Sequence, residues 1–201
     1  MNTITNNHTS EICNLLINAF EKDPMFVYLF SGERRRQYMN VFFKFLINKS
    51  QMLNEQLIGE RMDEQWVTVA NVELPSGIKS VSLMRQLRFL VSGLGLMFKI
   101  PFKTFGFINE YMRFTTSVRP KSPHHYLVFM GVEPKMQGRG LGRKALEYIH
   151  SLVDEDPLST GIGLDTENPE NVKLYNKFGY QLVAQKKIQG VTIYSMFRSK
   201  S

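Results

Sequence analysis

A single cysteine, Cys13, occurs among the 201 residues, so an internal disulfide is excluded and a reducing, cytoplasmic setting is the expectation. Four histidines share no paired Cys/His spacing, which gives no zinc framework and no expected metal. The first residues, Met1 to His8, lack a basic start followed by an apolar core, so no secretory signal is read there. The longest apolar stretch, Phe89 to Phe98, is bounded by Arg88 and Lys99 and is too short to span a bilayer, so no stable membrane insertion is expected. No internal repeat is visible. The net charge of +7 is diffuse: residues 1–123 hold 15 Lys/Arg against 10 Asp/Glu, and residues 124–201 hold 10 against 8. Arg34-Arg35-Arg36 is the only tight basic run, and no zinc-finger or RNP-like signature accompanies it, so no nucleic-acid partner is expected.

What the chain does have is a glycine-spaced turn, Gly138-Arg139-Gly140-Leu141-Gly142-Arg143, between two patterned segments. Upstream, Tyr126 to Met130 is short, apolar and rich in branched and aromatic residues, as a buried strand is. Downstream, Ala145, Leu146, Ile149, Leu152 and Val153 recur at helical spacing. Glycines in such a turn let the backbone approach an anion, and the following helix aims its unpaired N–H groups at it. The spacing excludes a Walker loop, whose lysine and hydroxyl are missing, and fits a dinucleotide fingerprint poorly because the glycines alternate.

Gln137, Gly140 and Gly142, in Gln-x-x-Gly-x-Gly preceded by Gly-Val-x-Pro, resemble the coenzyme A pyrophosphate loop of the GNAT superfamily of N-acetyltransferases. Downstream, Asn168-Pro169-Glu170-Asn171 through Tyr175 to Gly179-Tyr180 resembles the second signature of the same superfamily. That second motif also reads physically. Asn168 suits an N-cap, Pro169 the first helical position and Gly179 a left-handed helix end, while Asn171 and Tyr175 share one face. The bland alternative is that Tyr175 and Phe178 merely pack and Asn171 serves the helix start. His-Tyr-Leu-Val-Phe-Met-Gly-Val and the later Thr-Glu-Asn-Pro-Glu-Asn look closest to small-molecule modifiers of the puromycin-acetyltransferase kind.

Along the chain, a first helix capped by Ser10 or Thr9 is expected through Phe20 and a second from about Glu33 to Asn54, with Asp23-Pro24 breaking the first. Leu57–Arg61 and Trp66–Val72 read as a hairpin centred on Asp63-Glu64. After Pro75-Ser76-Gly77 a pair of helices is expected, roughly 80–97 and 103–117, weakened by Gly93 and Gly95 and interrupted at Pro101. The pair forms either a lid over the substrate side or part of the core. A membrane-surface helix using Arg85, Arg88, Lys99 and Lys103 is a third reading. Then follow strand 126–132, helix 140–154, strand 161–166, helix 169–178 and strands near 180–188 and 191–198, turning at Gly190. The order predicts an α/β fold, and the resemblance implies a GNAT-like, mixed, mostly antiparallel central sheet with splayed strands and flanking helices. A single domain over 1–201 is expected, with an acceptor-side half, 1–123, and an acetyl-coenzyme A half, 124–201.

The resemblance implies acetyl-coenzyme A as cosubstrate and an amine acceptor, a small molecule ahead of a protein or peptide. A non-catalytic coenzyme A-binding module is the rival from another class, and a homodimer is left open. By position the backbone N–H of Val132 would polarise the thioester carbonyl. The cofactor would lie on Val132 and on the backbone of Gln137, Gly138, Arg139, Gly140, Leu141 and Gly142, with Arg143 adding charge and Asn171 orienting cofactor or water. Tyr175 would protonate the departing thiolate, with its ordinary pKa of about 10 limiting it to a partial contribution. Glu133, beside the oxyanion strand, is the base carried forward, with His124, His125, Glu60 and Glu73 as further candidates and a water relay between base and amine. For Arg139 and Arg143 plain surface charge is an equal reading.

Overall fold

The computed structural model describes residues 1–4, 8–76 and 81–200. The expected break at Gly77 and the start of a helix at Ser80 lie outside them.

Among the described residues, seven strands form one sheet in the order β1-β2-β3-β4-β5-β7-β6. They are β1 (Asn2–Thr3), β2 (Gln56–Met62), β3 (Gln65–Glu73), β4 (His125–Val132), β5 (Gly161–Thr166), β6 (Gln181–Ile188) and β7 (Val191–Ser199). Among the described strands only β4 and β5 run parallel, joined by a crossover that carries a helix, as parallel pairs usually are. The β2–β3 hairpin turns where expected, with Asp63 and Glu64 both at positive φ, the geometry of a tight two-residue turn.

Two apolar layers sandwich the sheet. On one face lie α1 (Thr9–Ala19), α2 (Pro24–Leu29), α3 (Arg35–Met52) and α5 (Lys103–Val118), whose core includes Phe26, Phe30, Phe42, Phe43 and Phe107. Phe26 and Phe43 stack with centroids 5.0 Å apart. On the other face α6 (Leu141–Glu155) buries Leu146, Ile149 and Val153 against Leu127, Ile162 and Leu164, and α7 (Pro169–Lys177) adds Tyr175.

Several local readings change. Asp23-Pro24 ends α1 as expected but also starts α2, because the Asp23 carboxylate accepts from the N–H groups of Met25 and Phe26 and Pro24 fills the first helical position. Neither Thr9 nor Ser10 caps α1; His8 stands at that position without a side-chain cap bond. The 80–117 pair divides. Helix α5 completes the core through Phe107, Thr104 and Thr115, whereas α4 (Leu83–Met97) packs on α3 and buries only Leu96. Gly93 and Gly95 lie inside α4 without breaking it, with open space where a Cβ would stand at either.

Gly131 lies where α1 crosses β4. A Cβ there would sit 3.0 Å from Leu16 Cδ2, 3.2 Å from Ala19 Cβ and 3.3 Å from Leu15 Cδ2. Gly131→Ala is therefore expected to lower stability by about 1–3 kcal/mol through overpacking. Gly93→Ala, mid-helix in open space, should raise it by about 0.5–1 kcal/mol. Urea midpoints of the two variants check both signs.

Candidate active site

Strands β4 and β5 pair only at His125–Ile162, Tyr126–Gly163 and Leu127–Leu164. Beyond Leu127 they part. A bulge sits at the parting: on β3 Asn71 faces Phe129 and Val72 faces Leu127, which leaves Val128 as the extra residue and bends β4. From Phe129 onward β4 stays paired with β3 on one edge and is bare on the other.

The alternation of the β3–β4 ladder fixes which groups face the gap. The N–H of Glu133 donates to Val67 O at 2.9 Å, so positions 129, 131 and 133 bond to β3 while Met130 and Val132 turn their N–H and C=O to the open side. The Gln137 side-chain amide donates to Val132 O at 3.2 Å, as that orientation requires. Val132 therefore turns its N–H toward the open side, and the Gln137 side chain braces the strand end.

After β4 a 3-10 turn (Pro134–Met136) leads into the glycine turn. Gly138 has φ 76° and Gly140 φ 79°, the left-handed region where a side chain is strained. Gly140 caps α6, and the first helical bond is Lys144 N–H to Gly140 O at 2.9 Å. The N–H groups of residues 138–143 have no acceptor among the described residues, so a run of donors meets the positive end of a 15-residue helix. Gln137 departs from expectation, since its N–H already donates to Pro134 O at 3.3 Å and the open run starts at Gly138. A Cβ on Gly142 would stand 3.7 Å from Val132 Cγ2, which places the helix start against the strand end. These unpaired donors and the bare strand edge beside them fit a diphosphate with an extended amide arm. Arg139 is exposed, and the Arg143 guanidinium lies 5.8 Å from the Phe178 ring centre.

Asn168 caps α7, accepting from Glu170 N–H at 3.0 Å. The Asn171 side-chain amide donates to the Thr166 hydroxyl at 3.2 Å, tying α7 to the end of β5 and spending one of its polar atoms on structure. Tyr175 is buried and meets Tyr180 edge-on at 5.4 Å. Burial first, and then the Glu167 carboxyl, push its phenol up to about 12, so it stays protonated at neutral pH.

The base candidates separate by place. His125 pairs at the start of β4, with Nδ1 2.9 Å from Ser159 Oγ and Nε2 3.6 Å from Asp156 Oδ2. Seven residues of strand put it and His124 about 23 Å from Val132, too far for proton transfer. Glu73 is also at that end, opposite Tyr126. Burial would raise its pKa, but Lys49 at 2.8 Å and Arg119 at 3.3 Å outweigh that and hold it lowered, which makes it a weak base. Glu60 is 2.5 Å from Lys144. Glu133 is half-buried and lies 3.5 Å from the Asn18 amide.

Glu167 is the residue the sequence reading passed over. It follows β5 directly at the parting, is 9% exposed, and its Oε1 has no hydrogen-bond partner among the described residues. Around it stand Asp23 at the start of α2, Asp165 on β5, Tyr111 of α5, which hydrogen-bonds it, and Tyr175 of α7. Burial, then the charges of Asp23 and Asp165, push its carboxyl up to about 8 against the Tyr111 bond. Burial likewise raises Asp23, against its two backbone bonds and Arg35. Burial raises Asp165 as well, offset in part by the bonds it accepts from Ser195 and Tyr126 and by Arg119 nearby. The only sequence sign of Glu167 was an acid between an apolar strand and an N-cap. No group of three or more His, Cys, Asp or Glu among the described residues could hold a metal ion.

Fold and site together describe an α/β protein with a gap opened between parallel strands and a glycine turn of unpaired N–H groups at its rim. The acetyltransferase (GNAT) family matches residues 98–180. An uncharacterized N-acetyltransferase of Schizosaccharomyces pombe is 27% identical over 179 residues, covering 82% of this chain and 67% of that protein. Among solved structures, one described as histone acetyltransferase HPA2 and related acetyltransferase from Corynebacterium glutamicum aligns over 100% of this chain and 95% of its own, with TM-score 0.68 and 17% identity. The ribosomal-protein-S18-alanine N-acetyltransferase of Escherichia coli aligns over 100% and 92%, with TM-score 0.55 and 12% identity. The fold is the GNAT fold, shared with these solved structures, and none of these matches bears on the puromycin-type subgroup.

The Glu167 carboxyl supplies a stability test. Its folded pKa is raised from 4.5 to about 8, so between those values the folded chain holds a proton the unfolded chain has released, and stability falls as pH rises through that window. Glu167→Gln is expected to flatten this dependence and to melt higher than the parent at pH 8, with the two converging near pH 4. Thermal melts across that range check it.

Proposed function

We propose that the protein is an acetyl-coenzyme A-dependent N-acetyltransferase that acetylates a primary amine by direct transfer, and that the acceptor is a small molecule. The carrying observation is that the strand end whose Val132 N–H turns outward packs against the start of α6, where the N–H groups of residues 138–143 are unpaired. When bound, acetyl-coenzyme A supplies an acyl thioester. The turn at 138–143 holds its diphosphate, the bare edge of β4 takes its amide arm, and the fixed Val132 N–H donates to the acyl oxygen.

An aliphatic amine with a pKa of about 10.4 enters mostly as a cation and must lose a proton before it attacks. Glu167 takes that proton: it sits at the parting, has an open oxygen, and in its ionised form draws the ammonium in. Glu133 carries the same role in the second reading, from the rim of the gap. Tyr175 donates to the departing sulfur. With a phenol at about 12 this donation runs uphill unless it accompanies bond cleavage, so its contribution is partial.

Burial of Glu167 favours a slender amine over a folded protein surface. The Escherichia coli neighbour, whose name specifies a ribosomal protein, keeps a peptide acceptor as the alternative.

Thiol release from acetyl-coenzyme A across a panel of small amines and peptides tests the activity. Binding without release for any acceptor would leave a coenzyme A-binding module instead. With the best acceptor, Tyr175→Phe should lower kcat about 10- to 100-fold without abolishing turnover. The kcat/KM profile should rise with an apparent pKa near 8, a limb that Glu167→Gln removes and Glu133→Gln leaves in place. The opposite pattern would transfer the base role to Glu133.

A further inference from the structure

Helix α4 is held by one face and exposes an apolar stripe on the other. On the inner side Phe89 stacks on Phe45 of α3 at 5.7 Å, Leu96 is buried, and Arg85 bonds to Asn54 Oδ1 at 2.7 Å and to the Gln51 carbonyl. These contacts fix the rotation of the helix. On the outer side Leu83, Leu87, Leu90, Val91 and Leu94 recur at helical spacing and are all exposed, Leu90 at 60%. The stripe continues past the helix end to Phe98, 92% exposed, and Phe102, 79% exposed. Scattered apolar residues on a surface need no explanation, but a continuous stripe of this length marks a contact surface.

Charge identifies the partner. Residues 81–109 contain Arg85, Arg88, Lys99 and Lys103 and no Asp or Glu. Arg88, Lys99 and Lys103 are exposed, with Lys99 and Lys103 each following one of the two most exposed phenylalanines. Symmetric pairing with a second copy would bring this all-basic stretch against itself, since a two-fold interface presents the same patch from both sides. A negatively charged surface with an apolar layer beneath it matches both features. At about 22 Å a helix of 15 residues is too short to cross a bilayer, and none of the described helices is long and apolar enough to do so.

We infer that the outer face of α4, continued through Phe98 and Phe102, is a docking site for anionic lipid bilayers, lying in the headgroup plane with its leucines and phenylalanines inserted and Arg88, Lys99 and Lys103 on lipid phosphates. Binding of this kind combines buried apolar area with electrostatic attraction. It does not depend on the enzymatic reading, because none of these side chains belongs to the candidate active site.

Co-sedimentation of the full chain with vesicles tests it, using phosphatidylcholine alone and phosphatidylcholine with phosphatidylglycerol. The bound fraction should rise at least about tenfold with the anionic lipid and fall as salt is added. Leu90→Glu, at an exposed position, should fold with an unchanged melting temperature and lose vesicle binding. Phe98→Ser should weaken binding from outside the helix, which guards against any effect of Leu90→Glu on folding. Sedimentation equilibrium without lipid should give a monomer for parent and variants. Failure of the parent to bind anionic vesicles, or a parent dimer that Leu90→Glu dissociates, would overturn the inference, the second result assigning the stripe to self-association.

Discussion

Two parallel strands that begin paired and then separate leave a row of backbone groups without partners, and the rest of the site is arranged around that row. The three β4–β5 pairs at 125–127 and 162–164 hold the strands together at one end, and the bulge at Val128 turns β4 away. Because β3 keeps its grip on β4 through Glu133, parity decides that Val132 and not its neighbours faces the gap. Gly131 lets α1 lie against the strand at this point, and Gly142 sets the start of α6 beside Val132. Backbone donors on a packed strand and a helix end need no reorganisation to meet developing charge.

Carboxylates around the sheet fall into two electrostatic regimes. Near the paired end, Lys49 lies 2.5 Å from Glu55 and 2.8 Å from Glu73, and Arg119 bridges from Glu73 to the face of Tyr126. These ion pairs brace α3, β3 and β4 and hold Glu73 lowered, while burial still pushes the Glu55 carboxyl up. Toward the open end burial prevails. Asp23 and Glu167 are pushed up together, and Glu167 keeps an unpaired oxygen. Such a site gains from taking in a cation, which is the state in which an alkyl amine arrives.

How much of this could be read from sequence depended on whether the signal was local. The strand–turn–helix unit at 126–155 and the cap-proline-glycine pattern at 168–179 were legible because propensity, capping and periodicity agree there. Helix α4 was legible as an amphipathic helix but not in its orientation. Periodicity says that an apolar face exists; only the contacts of Phe89, Leu96 and Arg85 with α3 say that it points outward. Asp23-Pro24 was read as a breaker because the same pair that stops one helix starts another. Glu167 could not be singled out from sequence because the burial and neighbours that perturb it, Asp23 from 144 positions upstream and Tyr111 from α5, exist only in the folded chain. His124 and His125 carried the most suggestive chemistry in sequence, and the strand direction removes them to the wrong end.

The central claim is that the gap between β4 and β5, with the turn at 138–143, receives coenzyme A on backbone donors. Amide resonances of isotopically labelled protein titrated with coenzyme A test this most directly. The account predicts that Val132, Met130 and residues 138–143 shift strongly, while Gly131 and Glu133, bonded to β3, shift little. Saturable shifts confined to other parts of the chain, with Val132 and the glycine turn unmoved, would contradict it.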